Sequence, residues 1–162
     1  MIEFTRSLFT KGDYVMQIAT DTATICIYDT KCLEHRKDDD GDWWSLPWEE
    51  LEEVNRGNAL FLNVGSDGFY EVNVESKNFD TTHEYNLKIP SGRLFIGPGE
   101  DITAGGFEPG VDWEGTFFEL KAGNYICRIR REENVIRLFF SPGGDGENKL
   151  TDLIRIDELD YE

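Results

Sequence analysis

Apolar and polar residues alternate with period two along much of the chain, as in Tyr14, Met16 and Ile18 or Tyr70, Val72 and Val74. That is the pattern of a strand with one buried face. Runs of this kind, separated by Gly, Asp, Asn and Pro, predict strands over 3–9, 13–19, 23–29, 58–64, 69–76, 82–89, 93–97, 115–120, 124–131, 134–140 and 149–157. Most of the gaps are too short for a helical crossover, so antiparallel neighbours are expected. Turn chemistry predicts three hairpins, at Thr20-Asp21-Thr22, Gly65-Ser66-Asp67-Gly68 and Arg131-Glu132-Glu133-Asn134. One helix is predicted between Pro47 and Asn55, with Trp48, Leu51 and Val54 as its inward stripe, glutamates on its other side and Arg56-Gly57 as its stop. A helix this short cannot support a parallel crossover, so it should plug one end of the sheets or cover an edge. Gly97–Gly115 and Ser141–Asn148 read as surface loops. The fold class is all-β: a single domain over residues 1–162, built as an antiparallel β-sandwich or flattened barrel of about ten strands with one short helix.

A short motif recurs. Gly12-Asp13-Tyr14-Val15-Met16-Gln17-Ile18 matches Gly123-Asn124-Tyr125-Ile126-Cys127-Arg128-Ile129 in pattern, and Ile25 and Ile27 then match Ile136 and Leu138. A Gly turn followed by an aromatic that opens a half-buried strand is a local solution any sandwich can reuse, so convergent strand chemistry is favoured over duplication.

Charge changes the picture more than composition does. The chain has 162 residues, 39% hydrophobic and 13% aromatic, enough for one core. Thirty-three acidic residues against 16 basic ones leave a net charge of -17, which argues against nucleic acid and against an anionic membrane as partner. A charge-steered partner should be basic. No apolar run reaches the roughly 18 residues of a membrane span, and Met1-Ile2-Glu3-Phe4 does not open a leader, so a cytoplasmic protein is expected. Cys26, Cys32 and Cys127 show no CxxC spacing and are expected as reduced thiols rather than disulfides or zinc ligands. Like charge on every subunit favours a monomer over a homo-oligomer.

No catalytic residue, cofactor or metal site is expected. The chain lacks GxSxG, HExxH, P-loop and dinucleotide fingerprints. Cys32 and His35 could be imagined as nucleophile and base, but their spacing supplies neither an orienting third group nor an oxyanion hole. Asp38-Asp39-Asp40-Gly41-Asp42 invites a calcium loop. With Gly41 in the turn position, however, Arg36 and Pro47 fall where carboxylate ligands are required. Gly143–Asn148 resembles a calcium repeat present in one copy, which cannot stack. The candidate site is instead the 16-residue stretch Asp38–Glu53, with eight carboxylates, three tryptophans and no basic residue. Its partner-binding residues are Asp38, Asp39, Asp40, Asp42, Trp43, Trp44, Glu49, Glu50 and Glu53. Adjacent tryptophans on an extended backbone point apart, so one of Trp43 and Trp44 is expected at the surface as an anchor, while Trp48 joins the core. The rival function is a sugar-binding β-sandwich module stacking on Trp43, Trp44 or Trp113.

Gly12-Asp13-Tyr14, Ile27-Tyr28-Asp29 leading into Leu33-x-His35-Arg36, Asp42-Trp43-Trp44 and Asp67-Gly68-x-Tyr70 together resemble the small acidic all-β immunity proteins encoded beside bacterial antagonistic toxins. These include toxins delivered by contact-dependent and type VI secretion systems. Phe118-x-Leu120-x-x-Gly123-x-Tyr125 is also similar to a strand motif of competence-type nuclease inhibitors. The resemblance implies a non-catalytic protein that binds and neutralises a cognate toxin or effector, and it transfers no binding residue.

Overall fold

The computed structural model describes residues 5–7, 13–36, 43–102 and 115–156. Among these, ten strands form two five-stranded sheets stacked as a sandwich, with no closed barrel. The strands are β1 (Thr5–Ser7), β2 (Tyr14–Thr20), β3 (Thr24–Asp29), β4 (Leu60–Asn63), β5 (Gly68–Val74), β6 (His83–Ile89), β7 (Arg93–Pro98), β8 (Thr116–Glu119), β9 (Gly123–Glu132) and β10 (Val135–Pro142). One helix, α1 (Pro47–Asn55), and three 3-10 turns (Thr30–Arg36, Trp43–Ser45 and Gly99–Ile102) complete the set. The first sheet has the order β1-β8-β7-β3-β4 and the second β2-β5-β10-β9-β6. Pairing is antiparallel except for β1 with β8 and β5 with β10.

Of the three predicted hairpins only the turn at 131–134 is one, joining β9 to β10 with Glu133 at φ 56°. The turns at 20–22 and 65–68 instead carry the chain from one sheet to the other, β2 to β3 and β4 to β5. Alternation tells which face of a strand is buried, not which sheet the strand joins, and a tight turn serves either purpose. The motif recurring at 12–18 and 123–129 shows the same limit. Both copies start strands of the second sheet, but β3 leaves that sheet where β10 stays. Of the last predicted strand, 149–157, the described residues make one bridge, Asn63 to Arg155. Asn63 donates its amide to the Ile154 carbonyl and accepts from the Ile156 amide, so this segment covers the free side of β4.

Register puts Ile25, Ile27, Leu60, Leu62, Leu94, Ile96 and Phe118 on one face of the first sheet. Tyr14 of the second sheet meets Phe118 edge-on at 5.4 Å, so this face forms the interior. The opposite face carries Cys26, Tyr28, Phe61, Phe95 and Phe117, which are buried as well. Hence every residue of β3 is buried, and its sequence does not alternate. Gly92, at φ 77°, turns the chain from β6 into β7; a Cβ there would lie 2.6 Å from the Leu120 carbonyl oxygen.

The outer face of the second sheet accounts for three of the arginines. The crossover from β5 to β6 runs over it, held by Arg128 donating to the Phe79 carbonyl at 3.0 Å and Arg130 donating to the Asp80 carbonyl at 2.9 Å. The Arg137 guanidinium sits 4.9 Å above the Phe79 ring and pairs with Glu75.

Candidate functional site

Helix α1 connects β3 to β4 and lies against β4. Pro47 fills its first turn, where a missing N–H is tolerated, and Glu49 and Glu50 suit its positive end. No side chain caps it, and Leu46 occupies the cap position in an extended conformation.

The helix is rotated from the expected orientation. Glu50, Glu53 and Val54 face inward, while Trp48 is 66% exposed. The expected core position of Trp48 is therefore corrected. At 3.6 residues per turn, Glu50 lies about 40° from Val54 and Trp48 about 120° from it. Spacings of three misled because they ignore that drift.

The space Trp48 was expected to fill belongs to Trp43 and Trp44. Their relative exposures are 7% and 3%, and both pack on Phe61, Trp43 edge-on at 6.1 Å and Trp44 stacked at 5.9 Å. The expectation that one of them reaches the surface is overturned. It assumed extended backbone, whereas Trp43–Ser45 is a 3-10 turn in which neighbouring side chains are about 120° apart, so both can face inward.

The inward glutamates meet prepared partners. Glu53, with no exposed surface, accepts from His35 Nε2 at 2.8 Å, Arg36 Nε at 2.7 Å and Asn58 Nδ2 at 2.8 Å. Burial pushes its pKa upward, but these three donors outweigh burial and hold it below the ordinary carboxylate value. Arg36 also reaches Glu49 at 2.8 Å and Glu52 at 3.7 Å, and its guanidinium lies 4.3 Å above the Trp43 ring. A basic residue from just outside the stretch thus neutralises much of the acidic helix. Sequence reasoning missed Arg36, His35 and Asn58, because nothing in the spacing announces that a 3-10 turn brings residues 35 and 36 onto a helix 17 positions later.

Glu50 is the less compensated of the pair. It is 3% exposed and receives one donor, Asn63 Nδ2 at 2.9 Å, so burial raises its pKa from 4.5 to about 7. A carboxyl raised in this way stabilises the fold fully below pH 4.5 and loses that contribution as pH rises through about 7. Glu50→Gln should therefore fall about 1 kcal/mol below the wild type in acid, the cost of the buried amide's unmet donors, and exceed it by roughly 2 kcal/mol above pH 8, where that cost is set against the full shift. Urea melts of both proteins across pH check this; a constant difference would contradict it.

Asp38, Asp39, Asp40 and Asp42 lie outside the described residues, as does Trp113. Arg36 and Trp43, which flank the aspartates in sequence, touch each other. Cys32 and His35 are not assembled as nucleophile and base. The Cys32 thiol donates to the Lys88 carbonyl at 3.6 Å, and its pKa is pushed up by burial to about 12, while His35 is bound to Glu53. Cys26 and Cys127 are buried, and burial raises both thiols further. Among the described residues no group of three or more His, Cys, Asp or Glu could hold a metal, and no helix is long and apolar enough to cross a membrane.

The architecture defines a two-sheet β-sandwich with an acidic helix clamped across one edge. The chain belongs to a family of unknown function, DUF6386, whose model matches residues 12–156. No curated protein matches it. Among solved structures it is similar to a protein described as Crocagin biosynthetic gene J, with TM-score 0.51 and 11% identity over 82% of this chain and 97% of that one. It is also similar to ComJ, inhibitor of the DNA degrading activity of NucA, from Bacillus subtilis, with TM-score 0.47 and 10% identity over 82% of this chain and 98% of that one. At these identities the likeness to the first concerns the fold.

Proposed function

We propose that this chain is an immunity-type inhibitor, a monomer that binds and neutralises a cognate toxic protein in the cytoplasm through the acidic segment Asp38–Glu53. The observation that carries this is the placement of Trp48, two-thirds exposed on a helix fixed from beneath by buried ion pairs, in a chain of charge -17. Interface anchors are aromatic side chains presented by rigid elements, and long-range charge raises the rate at which an oppositely charged partner arrives. Trp43 and Trp44 serve this face from inside, as the packing on which it rests. Asp38, Asp39, Asp40 and Asp42 supply steering charge. Contact-dependent and type VI systems are the settings in which such inhibitors protect a cell.

The alternative, a sugar-binding module, loses its stacking residues among the described tryptophans, because Trp43 and Trp44 are buried and leave Trp48 alone. The decisive experiment expresses the product of the open reading frame adjacent to this gene, with and without this chain. Growth arrest by that product alone, relieved by the chain and accompanied by a co-eluting complex, is the expected result. A toxic neighbour that the chain neither relieves nor binds overturns the proposal. Replacing Asp38, Asp39, Asp40 and Asp42 by Asn should then slow association and flatten its salt dependence while leaving dissociation unchanged.

A further inference from the structure

Resting on that reading, we infer that Trp48 is the anchor and that it takes an arginine or lysine side chain of the partner against its indole face, with Glu52 one turn on completing the cation's surroundings. The helix already builds such an arrangement internally. Arg36 lies over the Trp43 ring at 4.3 Å with Glu49 at 2.8 Å and Glu53 at 2.7 Å around its guanidinium. On the outward side, Glu52 follows Trp48 by one turn, 3.7 Å from Arg36 and otherwise held by the surface residue Arg56, so an aromatic face and a carboxylate recur there.

Two further features fit a cationic side chain. Leu46, 41% exposed at the cap two residues before Trp48, adds exposed apolar surface at the same end of the helix, of the kind that the methylene stem of an arginine or lysine covers. Glu52 is paired with Arg56 at 2.6 Å, but Arg56 is 58% exposed and such surface pairs contribute little, so an incoming cation can exchange with it. The overall charge of -17 selects a basic partner over a second copy of this chain. Because the helix is clamped through Glu53 and Glu50 to Arg36, His35, Asn58 and Asn63, Trp48 is presented without ordering a loop on binding.

The test titrates the full-length protein with a blocked arginine-glycine peptide and, separately, with cellohexaose, following tryptophan emission at low and high ionic strength. The peptide should change the emission, and salt should weaken the effect. Trp48→Ala, with an unchanged thermal midpoint, should remove the emission change and lower affinity about tenfold. Glu52→Gln should weaken binding and flatten its salt dependence. Peptide affinity undiminished in Trp48→Ala would overturn the inference. So would a Trp48-dependent response to cellohexaose without one to peptide, which marks a sugar site, or Trp48-dependent self-association without one, which marks a second copy. Failure of the inhibitor proposal reads out separately. A wild-type chain that binds the peptide through Trp48 yet leaves the adjacent toxin active keeps the cation site and discards that proposal. A folded Trp48→Ala chain that relieves the toxin as well as wild type does the reverse.

Discussion

Trp44→Ala should destabilise the protein by about 3–5 kcal/mol, whereas Trp48→Ala should change its stability by no more than about 0.5 kcal/mol. Four residues apart and alike in chemistry, one is buried and the other faces outward. Trp44 is 3% exposed, stacked on Phe61 with an interplanar angle of 12°, and its ring edge approaches to 3.0 Å of where a Gly99 Cβ would stand. Truncating it opens an indole-sized cavity that the rigid sheet on one side and helix α1 on the other cannot close. Trp44→Phe should cost much less, because the indole Nε1 makes no hydrogen bond among the described residues and a phenyl ring keeps the stacking on Phe61. Denaturant titrations of the three variants measure all of this. Equal losses for Trp44→Ala and Trp48→Ala would mean that the helix faces the sheet with its other side.

That contrast marks where the chain is legible. Strand positions followed from alternation because a two-residue period maps onto the pleat, and β2, β5, β9 and β10 each bury one face as their sequences predict. Assignment of strands to sheets did not follow. Gly65–Gly68 has the chemistry of a hairpin, yet β4 pairs with β3 and β5 with β2 and β10. Which partner a strand takes is decided by long-range burial: β3, apolar on both faces, needs cover on both sides and lies between β4 and β7, next to the strand whose Phe61 carries the two tryptophans.

The site was legible as a region and not as a geometry. An acidic stretch with three tryptophans stands out in sequence, but which side chains turn inward depends on Arg36, His35, Asn58 and Asn63. Each lies outside the stretch and is unremarkable by itself. Four glutamates on a nine-residue helix read as a solvated face. Two of them are buried because partners from neighbouring elements make burial tolerable.

Arg36→Met tests that clamp and should cost about 3 kcal/mol or more at neutral pH. The methionine retains much of the apolar contact with Trp43, so the loss reports the guanidinium. Without it, Glu53 keeps His35 and Asn58 as donors but loses its permanent cation, leaving a fully buried carboxylate undercompensated. The pH dependence follows from the sign of its shift. In the wild type Glu53 lies below its ordinary value of 4.5, so it contributes stability above that pH and loses it as pH falls through the folded-state value. In Arg36→Met one of the three donors opposing burial is lost and the pKa rises from its wild-type position, so the carboxyl becomes neutral at a pH where the wild type is still ionised. The penalty should therefore be largest near neutrality and shrink as pH drops towards 4, where a protonated Glu53 no longer requires a cation. Glu49 and Glu52, released from Arg36, are partly exposed and add little. Urea melts of both proteins across this range should converge in acid. A penalty independent of pH would assign the effect of Arg36 to its packing on Trp43, and Glu53 would then owe its burial to His35 and Asn58 alone.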